Sequence, residues 1–351
     1  MFEGGSGSVD ASLSLAQEAP AAVPARFDPC MCQEDGSYFV DVRSEWLEVI
    51  LDFLAHGVVT APKFAPSVVL GVQAAADFLG IAALSLACAA KWARAEAADA
   101  PPDQCITINV VTPRDIAYHT GALDVFSHHI NAGSTAPLSF TLLAHHKLGV
   151  VAHMVHEALD ARPKGLVFYG CIARRNTTLR PAGRIDPVES HTALGNSWAT
   201  RNRVMWLFVT RRKPSDVLPP VVSCGPALGI PRDAPLLLFV KVFDPKRRRL
   251  NAPRHVVIAD PNATVASALP TLIGAVDLYD EDVDIKGVAI YEESNNSNVH
   301  AVDLQRSFAH AEIENGDILW LCVDPAAVAD LGKRASTGQY EWITRPPGPT
   351  W

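Results

Sequence analysis

The sequence predicts an α+β protein: a mainly helical segment followed by two small sheets, each with one helix packed across a face. Three observations carry this. Apolar residues recur at helical spacing between Trp46 and Arg94. From Cys105 onward the pattern changes to the alternation expected of strands. The order strand, strand, helix, strand, strand then occurs twice, first between Cys105 and Thr210 and again between Leu236 and Val323, so the chain contains a divergent internal repeat.

Taken in order, residues 1–30 carry GGSGS and EAPAAVPAR with little periodicity. Such a stretch cannot bury enough apolar surface to offset its ordering entropy, and a disordered tail is expected. SYFVDV reads as a short strand. Trp46, Leu47, Ile50, Leu51, Phe53 and Leu54 then mark one face of a helix that stops at His56-Gly57. Two further helices are expected over Val68–Leu79 and Ala82–Arg94, separated by Gly80, and AEAADAPPDQ at 95–104 reads as a linker.

CITINVV and SFTLLAH are the first strand pair, Leu148–Leu159 is a helix with Val150, Val151, Met154 and Leu159 on its apolar face, and LVFYGCIA and RVMWLFVT complete the first repeat. A Pro/Gly-rich linker at 214–235 follows. LLLFVKVFDP, RHVVIADP, a helix over Val265–Val276, GVAIYEE and DILWLCV form the second repeat, and the stretch ending TRPPGPTW reads as a loose tail over 326–351.

Composition excludes several classes. With 351 residues, 48% hydrophobic and 19% charged, the chain is long enough for two or three cores. A formal net charge of −8 disfavours nucleic acid, whose phosphates demand clustered Lys and Arg, and suits basic partners. Cys30, Cys32, Cys88, Cys105, Cys171, Cys224 and Cys322 form an odd set without disulfide-framework spacing, and no signal peptide precedes them. An intracellular setting, cytoplasm or nucleus, is expected. Phe78–Ala90, the most apolar window, is far shorter than the roughly 20 residues of a membrane span, so no membrane contact is expected.

The residues also carry a resemblance. LLLFVKVFDPKRRRL, AIYEE and AEIENGDILWL, with Asn315-Gly316 as the tight turn into the last strand, are similar to a ubiquitin-like β-grasp domain behind the catalytic domain of the herpesvirus-associated ubiquitin-specific protease, the one that docks peptides. ARRNTTLRP (173–181) and RNRVMWLFV (201–209) resemble the preceding ubiquitin-like domain of that family, although VFYGCI stands where the family has an aromatic-rich approach. GSYFVDVRSEWLEVILDFLAHG and AADFLGI resemble the second half of a BTB/POZ domain of the potassium-channel tetramerisation type; the usual first hairpin has no counterpart in residues 1–30. The resemblance thus implies a partial BTB-like segment at 31–97 and tandem ubiquitin-like domains at 104–213 and 236–325.

It also implies a site. In the family, acidic side chains just before and within the Gly-Asp turn receive lysines of partner peptides. Glu312 and Asp317 match two of those positions, Ala311 and Asn315 stand where the family has aspartates, and Glu314 is a substitute acid. The plainer reading is that Glu312 and Asp317 solvate a turn, with Asp317 bonding local backbone. Asp280, Glu281, Asp282, Glu292 and Glu293 add negative charge to the same repeat.

Other candidates are weaker. No cysteine lies in the Asn-rich nucleophile setting of a ubiquitin-specific protease, and no region remains for its large catalytic domain, so no enzymatic activity is expected. His145, His146, His153 and His156 match neither HExxH nor HxxEH, and ordinary helix histidines are the simpler account. Cys30-Met31-Cys32 lacks a second pair at zinc-finger spacing. Lys246, Arg247, Arg248 and Arg249 read as a solvated hairpin turn or a nuclear-targeting run. No cofactor is implied. Two functions stay open: a non-catalytic adaptor of the ubiquitin system that binds proteins or Lys-containing peptides, and a BTB-type oligomeric scaffold or ligase adaptor.

Overall fold

The structure is a computed structural model, and it describes residues 42–56, 59, 66–116, 138–161, 165–174, 178–186, 193–197, 199–212, 217–222, 234–244, 249–250, 253–276, 287–295 and 298–322. The predicted tails, Ser37–Asp41 of the expected SYFVDV strand, Lys246–Arg248 and Asp280–Asp282 lie outside these residues, and Val42 is not in a strand. The chain divides into two compact units, 1–98 and 99–351.

The first unit holds helices α1 (Ser44–His56), α2 (Pro66–Phe78) and α3 (Ala82–Asp99). Ile50, Val69, Val72, Ala75, Ala76, Leu84 and Cys88 make its core. Small residues on α2 let α1 approach closely: a Cβ added at Gly71 would lie 2.2 Å from the Trp46 ring. Gly80, at φ +72°, makes the turn between α2 and α3, a left-handed conformation that costs glycine little. The helix α3 runs five residues past the expected Arg94, because Ala and Glu in AEAAD are strong helix formers and only the following prolines stop it.

The second unit contains two six-stranded sheets. In the first, β1 (Cys105–Val111), β2 (Leu138–Leu143), β3 (Leu166–Ala173), β4 (Leu179–Ile185), β5 (Thr200–Arg201) and β6 (Val204–Arg211) have the order β2-β1-β6-β3-β4, with β5 beside β6. The first and last long strands, β1 and β6, are parallel neighbours at its centre. A short helix α4 (Pro113–Ile116) follows β1, and α5 (Leu148–Ala158) lies on one sheet face, with His156 5.9 Å from the Phe168 ring of β3.

The second sheet repeats this order. It contains β7 (Leu236–Asp244), β8 (Arg249–Leu250), β9 (Arg254–Ile258), β10 (Ala289–Asn295), β11 (Asn298–Ala301) and β12 (Ile318–Cys322), arranged β11-β10-β12-β7-β8 with β9 also pairing β7. Again the first and last strands, β7 and β12, are the central parallel pair. Its helix α6 (Val265–Ala275) is N-capped by Thr264, whose hydroxyl accepts from the Ser267 N–H at 3.3 Å. The edge strands β4 and β11 are elements that the sequence pattern did not announce; both carry polar residues that blur the alternation.

The central strands are buried on both faces, and their period-two alternation sorts side chains into two cores. Leu236, Leu238 and Val240 of β7, with Leu319 and Leu321 of β12, pack against Val265, Leu269, Leu272 and Ile273 of α6. The intervening residues Leu237, Phe239, Ile318 and Trp320 join a different cluster, shared with Val167, Tyr169, Cys171 and Phe208 of the first sheet. The two sheets therefore pack face to face through one shared, largely apolar layer. Phe208 and Phe239 meet edge to face at 5.2 Å and 73°, a preferred aromatic geometry.

The segment between the sheets is also tied down. The Val222 N–H donates to Arg184 O at 2.8 Å, the Arg184 guanidinium donates to Pro219 O at 2.9 Å, and Leu218 packs against the shared layer. Residues 217–222 thus lie along the edge strand β4 and cover part of it. No described helix is long and apolar enough to cross a membrane.

Candidate functional site

The three acids singled out by sequence lie on one short stretch leading into β12, and they divide by burial. Ile313 is 4% exposed and belongs to the α6 core. Burying that side chain turns its neighbours Glu312 and Glu314 outward, and both are exposed. Glu312 takes a left-handed φ of 58°. Asp317, by contrast, is 2% exposed.

The turn Glu314–Asp317 is held from three sides. Asn315 Oδ1 accepts from the Leu237 N–H at 2.8 Å, and the Gly316 N–H donates to Leu237 O at 2.7 Å, so the side chain and backbone of the turn both clasp the start of β7. The Phe239 N–H donates to Asp317 O at 2.8 Å. Within the turn, Asp317 Oδ2 accepts from the Glu314 N–H at 2.6 Å. The third side comes from the first sheet: Arg174, just past β3, pairs its Nη1 with Asp317 Oδ1 and donates from Nη2 to Asn315 O at 2.6 Å. Glu314 Oε2 is 3.9 Å from the same guanidinium.

Gly316 completes this arrangement. At φ +84° it occupies the region that favours glycine, and a Cβ there would fall 2.3 Å from Pro181 O and 3.1 Å from Arg180 Cβ. Only a residue without a side chain permits β4 to come this close. The ARRNTTLRP segment and the ENGD turn, far apart in sequence, therefore meet in the structure.

Glu292 on β10 lies in the same electrostatic neighbourhood. Burial pushes its carboxyl up to about 7, with Asp317 and Glu314 adding repulsion while Arg174 and Arg180 oppose the shift. Its neighbour Glu293 plays a different part. Glu293 and Lys241 are both about 1% exposed at the side chain and pair at 2.7 Å; Trp320 Nε1–H donates to the same Glu293 oxygen at 2.7 Å, while Glu293 Oε1 has no hydrogen-bond partner among the described residues. Sequence reasoning listed Glu293 only as added negative charge and passed over Lys241. Lys241 occupies an inward position of the apolar strand β7, whereas Glu293 lies in the polar half of β10, where nothing local marks it as buried.

His145 is exposed beside buried His146, with ring centroids 4.4 Å apart, while His156 packs on Phe168. Cys88, Cys105, Cys171 and Cys322 are buried and not joined in disulfides, and burial pushes the Cys88 thiol up to about 11, away from the thiolate that nucleophilic chemistry needs. Cys30, Cys32 and Cys224 lie outside the described residues. The arrangement around Asp317 can receive a cation, and its two accepting oxygens, Asp317 Oδ1 and Asn315 O, are already aligned.

Comparison with known families finds that the model described as the ICP0-binding domain of Ubiquitin-specific protease 7 matches residues 133–339, more than half of the chain. No curated protein matches the sequence. The match spans most of the first sheet and all of the second, including Arg174 and the acidic turn; it does not reach the three-helix unit.

Proposed function

This chain belongs to the family of the ICP0-binding domain of Ubiquitin-specific protease 7, and we infer from it that the protein works by binding other proteins, as a non-catalytic adaptor or regulator in the ubiquitin system. The matched domain is named for what it binds and is not a protease catalytic domain. The repeated strand order, with first and last strands parallel at the centre of each sheet, supports reading 104–213 and 236–325 as two ubiquitin-like domains.

The observation that carries the docking site is the exposure of Glu312 and Glu314 on either side of buried Ile313, next to the preorganised Asp317. A Lys-containing peptide would meet the two exposed carboxylates first. Exposed ion pairs contribute roughly 0.2–1 kcal/mol each and weaken in salt, so the complex is a weak, salt-sensitive one. Calorimetric titration of the full chain with a Lys-containing basic peptide tests this: the Glu312→Ala/Glu314→Ala double variant should lose most of the binding. Unchanged binding places the peptide elsewhere.

One observation favours a second reading, in which the helical unit drives self-association as a BTB-like segment. Leu51 and Leu54 on α1 and Leu70 and Phe78 on α2 are exposed apolar side chains, Leu54 at 61% and Phe78 at 59%. Sedimentation of the full chain beside a chain beginning at Gln104 decides it; a monomer in both cases removes the scaffold.

A further inference from the structure

Arg174 stands where an incoming basic group would have to go. Its guanidinium already takes Asp317 Oδ1 and Asn315 O, and it lies 3.9 Å from Glu314 Oε2. Yet neither accepting oxygen depends on Arg174 for its position. Asp317 Oδ2 is held by the Glu314 N–H, its backbone carbonyl by the Phe239 N–H, and the Asn315 side chain and Gly316 N–H by Leu237. The turn is thus a cation receptor built on β7, with an occupant supplied by the other sheet.

The occupant is also placed so that it can leave. The Arg174 side chain is 23% exposed, against 3% for that of Asp317. A displaced guanidinium swings into water, whereas an uncovered Asp317 carboxylate would stay desolvated until another cation replaced it. Glu312 and Glu314 stand exposed at the rim, where they raise the local concentration of a basic chain before exchange. Arginine does not deprotonate in the working pH range. The exchange therefore answers to a competing cation and does not require Arg174 to lose its proton.

We propose that Arg174 is an autoinhibitory occupant of the acidic turn, which a basic side chain of a partner peptide displaces to reach Asp317 and Asn315 O. This rests on the docking reading above and adds to it a regulatory contact between the two sheets. The Gly316–Pro181 approach keeps β4 against the turn during the exchange, so only the arginine side chain needs to move.

The experiment is titration of the full chain and its Arg174→Gln and Arg174→Lys variants with one Lys-containing basic peptide in low salt. Arg174→Gln should bind more tightly, on the order of tenfold, about the worth of one additional charge-assisted hydrogen bond. Arg174→Lys, which keeps the charge but loses the two-pronged geometry, should fall between. In the unaltered chain, saturating peptide should shift the Arg174 side-chain NMR signal to that of a solvated guanidinium. That measurement stands even where a variant folds poorly. Tighter binding by Arg174→Gln, or the NMR shift, supports the proposal; an unmoved signal at saturation, or equal or weaker binding by a folded Arg174→Gln, overturns it. If Arg174→Gln matches the unaltered chain while Glu312→Ala/Glu314→Ala abolishes binding, the docking face stands and the occupant falls. If no form of the chain binds, both fall.

Discussion

Replacing either member of the Lys241–Glu293 pair should destabilise the protein far more than replacing both. The pair is sealed among apolar neighbours, with each side chain about 1% exposed, and is joined at 2.7 Å. Lys241→Met leaves a buried carboxylate whose remaining donor is the Trp320 indole N–H, also at 2.7 Å. Glu293→Gln leaves the ammonium facing a neutral amide. Breaking a buried pair in this way costs about 3–5 kcal/mol, because the abandoned charge keeps its desolvation penalty. In Lys241→Met/Glu293→Leu no charge remains. The surviving loss is the Trp320 N–H, which is left without its acceptor at about 1–3 kcal/mol, set against the gain from packing apolar side chains. The double variant should therefore lie above both single variants in stability, with a coupling energy of about 3 kcal/mol or more between the sites. Urea unfolding of the four proteins, followed by far-ultraviolet circular dichroism, measures the cycle. Additive losses, with the double variant weakest, would refute the argument that desolvated charge dominates here.

Three further outcomes follow from the geometry. Gly316→Ala combines a left-handed backbone with a Cβ 2.3 Å from Pro181 O; it should cost about 2–5 kcal/mol, from roughly 1–2 for the backbone and 1–3 for the overlap, and a thermal melt that shifts by less than a degree would contradict it. Gly71→Ala drives a methyl to 2.2 Å from the Trp46 ring and should lower the stability of the helical unit by about 1–3 kcal/mol despite alanine's better helix propensity, as read by urea unfolding. Glu292, raised to about 7 in the folded protein from an ordinary 4.5, holds its proton more tightly when folded than unfolded. Its contribution therefore favours folding below about pH 4.5, falls as pH rises between 4.5 and 7, and is fully unfavourable above 7. Glu292→Gln should accordingly gain stability relative to the unaltered chain at pH 8 and not at pH 4, by on the order of 1 kcal/mol after solvent screening; equal pH profiles for the two would show that the carboxyl is not perturbed.

Much of this architecture was legible in the sequence because periodicity reports which face of an element is buried. The strands Cys105–Val111, Leu236–Asp244 and Ile318–Cys322 stand out as apolar runs, and the helices α5 and α6 end within a residue of where their patterns stop. Boundaries failed where propensity outran the pattern, as in the extension of α3 through AEAAD, and the edge strands β4 and β11 were missed where polar residues, proline or glycine interrupt the alternation. The acidic turn could be located from Ile313 and Asn315-Gly316, whose burial and turn chemistry are local.

What the turn does with its acids was decided only in three dimensions. Sequence placed Glu312, Glu314 and Asp317 together, yet burial separates them, and the buried Asp317 is paired with Arg174, 143 positions away. The linker at 214–235 suggested separate modules, whereas Phe208, Phe239 and Trp320 join the sheets in one layer. Glu293 read only as added negative charge and Lys241 drew no reading, until strand register set Lys241 beside Trp320 and folding brought Glu293 to both. Local sequence determines secondary structure because its forces act over a few residues. Which carboxylate stays exposed, which is paired and which is buried depends on the far side of the contact, and that side is supplied by folding alone.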